Sequence, residues 1–170
     1  MGINKPMLSK TLLHTFLDYN YQANAKILAA FAALTPKQMQ QETAISHGNA
    51  LELLRHMADT EWSSRLYTGE GTGGKYLWDV EDISDLTKLA EFWTKERACM
   101  LTYIDSLSED ALAEVVELSP TFRAPRWQIF LHLANHSTHH RSELSHYLAQ
   151  CGSPVAEETI EFIRFGPTPD

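Results

Sequence analysis

Apolar positions recur at intervals of three and four residues along four long stretches of the chain, the spacing that lines one face of an α-helix. The first stretch covers about 9–34, where Leu13, Phe16, Leu17, Ile27, Leu28 and Phe31 form a stripe. Asn20 and Asn24 fall inside it. Two readings stand for them: interhelical hydrogen bonds, which buried amides require, or the lining of a polar cavity. Thr35-Pro36-Lys37-Gln38 joins a cap, a first-turn proline and a capping-box glutamine, so a short helical turn follows. The second helix covers about 46–67, with Ser46 as its cap and Leu51, Leu54, Met57, Ala58 and Trp62 facing inward. His56 lies about 60° beyond Leu53 on the helical wheel, at the margin of that stripe, which predicts a partly exposed side chain. His47 falls in the predicted first turn, beside the cap.

Residues 69–83 read as a loop, with glycines at Gly69, Gly71, Gly73 and Gly74 and an acidic run around Asp79, Glu81 and Asp82. The third helix covers about 84–107, capped by Ser84, with Leu86, Leu89, Ala90, Trp93, Met100, Leu101 and Ile104 inward. Arg97 falls within that stripe, and either snorkels to the bundle end or pairs with a buried carboxylate or an anionic ligand. Ser108 starts a short helix; Pro120 and Pro125 mark an extended connection into the fourth helix, about 126–151, which Gly152 ends. The tail 153–170 carries an apolar patch of Ile160, Phe162, Ile163 and Phe165 that packs across the bundle or a partner subunit. The pattern predicts an all-α protein: a single four-helix-bundle domain over 1–170, without strands. The long connection between the second and third helices permits a crossover in place of a simple hairpin.

Composition narrows the function classes. The formal charge is −8 and no Lys/Arg block occurs, which argues against a nucleic-acid footprint. Two cysteines, Cys99 and Cys151, stand far apart, so no disulfide framework is expected. The first ten residues have no apolar signal core, Pro6 breaks a myristoylation pattern, and no run approaches a membrane span. The expectation is a cytoplasmic protein free of membrane and nucleic acid.

Against this ordinary background one stretch stands out. Trp127–Gln150 holds five of the eight histidines, among them His132, His136, His139 and His140. Ile129, Leu133, Leu144, Tyr147 and Leu148 define a stripe that contains His140 and has His136 at its edge, while His132 and His139 fall on the flank beyond. The His136/His140 pair lies about 40° apart on one face, so both imidazoles can reach one metal ion from successive turns. The same pair can also be packed histidines with buried partners.

Three segments together resemble the DinB/YfiT-like family of metalloenzymes, over nearly the whole chain. Tyr19-Asn20-Tyr21-Gln22-Ala23-Asn24 is similar to the family's first-helix YNxxAN pattern, and the residues from Leu53 to Trp62 to its second-helix histidine segment. Asn135-His136-Ser137-Thr138-His139-His140-Arg141 matches the fourth-helix NHxxHHR motif, the most specific of the three. The resemblance implies a three-histidine metal site of His56, His136 and His140, and a homodimer. Family members often continue with Gly-Gln where this chain has Ser142-Glu143. Glu143 shares the side of His136 and His140. It orients a ligand, acts as a base on bound water, or is a solvated or ion-paired glutamate.

Three neutral imidazoles leave a divalent ion its full charge and at least one open position. Zinc or nickel comes first, and iron and manganese also accept imidazole. Such an ion lowers the pKa of bound water to about 7, polarises a carbonyl or holds a thiolate. The resemblance extends to enzymes that use a low-molecular-weight thiol as co-substrate and to metal-dependent hydrolases. Three readings follow: an S-transferase or hydrolase acting on a small-molecule substrate, a non-catalytic metal- or ligand-binding bundle related to stress, or a structural bundle whose histidines merely pack.

Overall fold

The computed structural model describes residues 9–69, 75–119, 121–156 and 160–165. The N-terminal residues, Gly71, Gly73, Gly74, Pro120 and the end of the tail lie outside the described residues. Four long helices form the body: α1 (Lys10–Phe31), α3 (Ala50–Gly69), α4 (Leu86–Ser106) and α6 (Arg126–Gln150). Two short helices, α2 (Pro36–Met39) and α5 (Glu109–Ala113), sit in the connections.

Each long helix buries its apolar stripe against two neighbours, α1 on α4 and α6, and α3 on the same two. Their directions follow from the contacts. Arg55 reaches the carbonyls of Ile83 and Ser84, Arg65 pairs with Glu96, and Tyr103 donates to Thr68 O, so α3 and α4 run parallel. Parallel neighbours need a connection that returns to the starting end, so the long loop between them is a crossover, as its length permits. Contacts of α6 with α3 run the other way, from His56 with His136 to Thr68 with Arg126, which makes this pair antiparallel.

Local chemistry explains most helix ends. Ser9 caps α1 by accepting from Leu12 N, and Thr35 and Gln38 form the expected capping box on α2. The start of α3 differs from the sequence expectation. Its cap is Asn49, whose Oδ1 accepts from Glu52 N at 3.0 Å, and Ser46 lies outside the helix. The cause is backbone direction: His47 and Gly48 take φ of 63° and 83°, left-handed values that a helix cannot include. The α4 cap is Asp85, one residue after Ser84.

The expectation of no strands is corrected by a small antiparallel hairpin, β1 (Val115–Ser119) with β2 (Phe122–Pro125). Both strands are too short to show a period-two pattern, and Val115 and Phe122 remain exposed, so no apolar alternation announces them. The tail folds back on its own bundle: Phe162 meets Phe16 and Tyr19 edge-on at 5.0 Å each, and Tyr19 donates its hydroxyl to Ile160 O. Among the described residues, no helix is long and apolar enough to cross a membrane.

Candidate metal centre

The antiparallel contact of α3 with α6 brings three histidines to one point. His56 Nε2 stands 3.0 Å from His136 Nε2, and His140 Nε2 stands 3.1 Å from the same atom. His136 and His140 come from successive turns of α6; His56 faces them from the margin of the α3 stripe, half-buried as its wheel position predicts. His132 and His139 are exposed on the flank.

Burial, reinforced by the neighbouring histidines, lowers His56 to about 4 and His136 to about 3, and burial also lowers His140. All three rings are therefore neutral near pH 7. Each neutral imidazole has one donor and one acceptor nitrogen, so His136 Nε2 cannot satisfy both facing nitrogens at once. His136 Nδ1 is buried and has no hydrogen-bond partner among the described residues. A cation that accepts a lone pair from each ring resolves the first conflict. At metal–nitrogen distances near 2.0–2.1 Å, two tetrahedral ligands stand about 3.4 Å apart, close to the separations found here. The His56–His136 and His136–His140 separations fit ligands of one divalent ion.

Glu143 supports this cluster from the next turn. Its Oε1 lies 3.1 Å from His140 Nδ1 and 3.1 Å from His139 Nε2. It also accepts from Ser46 N at 2.6 Å and from Ser46 Oγ at 2.9 Å. Burial alone would raise its pKa; the bonds to Ser46 and His140 outweigh that and hold it below the usual glutamate range. An ionised Glu143 accepts the Nδ1 proton of His140 and leaves the Nε2 lone pair facing the cluster. Its contacts match two of the readings open from sequence, orientation of the His140 ring and ion pairing, here with His139.

Beneath the histidines lies a buried polar layer. Asn20 and Asn24 donate to Glu61 Oε1 at 2.9 and 2.7 Å, Ser137 adds a bond at 3.2 Å, and Trp93 donates to Oε2. Arg141 donates to the carbonyl oxygens of the same two asparagines at 2.6 and 2.8 Å. Two amides thus separate a buried cation from a buried carboxylate, with every amide pointing its donor to one and its acceptor to the other. Burial pushes Glu61 up to about 7 against the pull of these donors.

The model of the DinB family matches residues 7–162. The chain belongs to the DinB family. No curated protein matches it.

Within this DinB chain, all three quoted segments meet in the polar layer, Glu61 belonging to the second. Asn20 and Asn24 of the first contact Arg141 of the third, so interhelical hydrogen bonding is their role. Glu61 escaped the sequence reading although it lies four residues after Met57 in the inward stripe. Only its charge argued against that position, and its donors come from three other helices. Arg97 is corrected: it is exposed and pairs with Asp18, while its neighbour Glu96 takes the buried position and binds Arg65 at 2.6 and 2.8 Å. Trp62 packs in the hydrophobic core. His47, read from sequence as a cap neighbour, instead lies against the cluster, its ring stacked on His56 with centroids 3.9 Å apart. Cys99 and Cys151 are free.

Proposed function

We propose that this DinB chain is a metal-dependent enzyme whose divalent ion is held by His56, His136 and His140. It acts on a small molecule, as a thiol-dependent S-transferase or a hydrolase. The observation that carries this reading is the convergence of three neutral imidazoles through Nε2. When bound, the ion supplies Lewis acidity, acidifying a thiol or water and polarising a carbonyl. The protein's own part is positional. Glu143 holds His140 in the tautomer that presents Nε2, and the Glu61–Arg141 layer locks α1, α3, α4 and α6 around the site. Both Glu143 oxygens are already engaged, which favours an orienting role over that of a base.

Zinc or nickel suits an all-imidazole donor set, with iron and manganese next. Neutral ligands leave the ion strongly electrophilic, which suits a thiolate or a water nucleophile. A small thiol as co-substrate and a homodimer complete the proposal, both from the family resemblance. The acidic charge favours neither nucleic acid nor an anionic surface as partner.

Elemental analysis of untagged protein purified without chelator tests the metal centre. Near-stoichiometric metal is expected in the wild type and none in a folded His136→Ala/His140→Ala variant. Metal absent from both after incubation with zinc, nickel and manganese would sink the proposal. Turnover of thiol adducts or esters that vanishes with His140→Ala separates an enzyme from a non-catalytic metal-binding bundle, which would bind without forming product.

A further inference from the structure

We propose that His47 supplies a fourth imidazole to the same ion, from a loop built to present it. The inference rests on the metal-centre reading above. One ring nitrogen from each of His47, His56 and His140 lies within 4.8 Å of the other two. The His47 and His56 rings stack with only 22° between their planes, and the His47 centroid is 6.1 Å from that of His140. Its side chain is exposed, and the ring has to turn out of its stack on His56 to aim a nitrogen lone pair at the ion.

The backbone is the second, independent sign. His47 is the one non-glycine residue with positive φ among the described residues, at 63°. Left-handed backbone at a non-glycine residue costs energy and persists where the surroundings impose it, often at functional sites. Here the surroundings can be named. Gly48 follows at 83°, Thr43 N closes the loop on Gly48 O at 2.7 Å, and Ser46 is clamped through both its N–H and its hydroxyl to Glu143. That carboxylate also holds His140. A single group thus ties together the loop that carries His47 and one of the three converging rings.

A zinc ion held by all four imidazoles would have its tetrahedral positions filled, and the exposed His47 would be the ligand placed to give way to an incoming donor.

The test uses the full chain loaded with cobalt(II) or zinc. His47→Asn keeps a side chain that tolerates left-handed backbone, and His47→Gly removes the strain altogether; circular dichroism verifies the fold of both. X-ray absorption should count four imidazoles in the wild type and three in either variant, the cobalt d–d spectrum should change, and zinc affinity should fall at least about tenfold. Unchanged spectra and affinity in both variants, with binding still abolished by His136→Ala/His140→Ala, would overturn the role of His47 and leave the three-histidine centre standing. No metal in the wild type would overturn both.

Discussion

His56 Nε2 and His136 Nε2 lie 3.0 Å apart although eighty positions separate them in the chain. His136 is the middle member of the cluster, since its Nε2 faces His56 on one side and His140 on the other. Single alanine substitutions should therefore divide the histidines of α6 sharply. His136→Ala should reduce bound metal below detection, whereas His132→Ala and His139→Ala should leave it near the wild-type level. Elemental analysis of the three proteins decides this, and equal loss from all three would point to non-specific surface binding.

Glu143 touches His140 Nδ1 and Ser46 but no other ring of the converging set. Outer carboxylates of this type tune affinity without donating to the ion. Glu143→Gln should weaken zinc binding roughly 10–100-fold while the chain stays folded. Competition titration against a chelating dye measures the change, and wild-type affinity would show that Glu143 orients nothing.

Glu61 accepts from both amides, from Ser137 and from the Trp93 indole, all buried. In Glu61→Gln one amide N–H must face another donor, so at least one hydrogen bond is lost. The expected destabilisation is about 1–3 kcal/mol, read from the urea midpoint of the chelated protein. A variant as stable as the wild type would mean that the layer carries little energy.

Acid should weaken the metal-free fold through the histidines. His56 and His136 titrate at about 4 and 3 when folded, against about 6.5 unperturbed, so the unfolded chain binds more protons in that interval. Their contribution is complete above about pH 6.5 and is lost as the pH falls through 4 towards 3. Glu61 acts in the opposite sense. With a folded pKa of about 7 against 4.5, its contribution is present at low pH and lost as the pH rises through 7. Comparison with a His56→Gln/His136→Gln variant isolates the histidine part: the variant should lose less stability than the wild type between pH 6.5 and 4. Equal losses would mean that neither ring is held neutral by the fold.

The bundle was legible because helix formation and burial are written in local periodicity. Every inward residue named for α6, from Ile129 to Leu148, is buried, and its stripe separated His136 and His140 from His132 and His139. The same logic failed at Arg97 and Glu96. Adjacent positions differ by about 100° on the wheel, and a stripe edge does not say which of two charged neighbours has a buried partner. Arg65, from another helix, decided that.

By itself, then, the sequence determined the four long helices, most of their inward faces, the neighbouring pair of histidines on α6 and the family motifs. Tertiary structure alone decided what meets what. That α3 lies antiparallel against α6 places His56 on that pair, and a contact across eighty residues leaves no mark in the periodicity of either helix. Glu61 reads as a misplaced charge until donors from α1, α4 and α6 surround it. His47 stands in a loop, where backbone dihedrals and the clamp from Glu143 set its position and no repeating pattern records them.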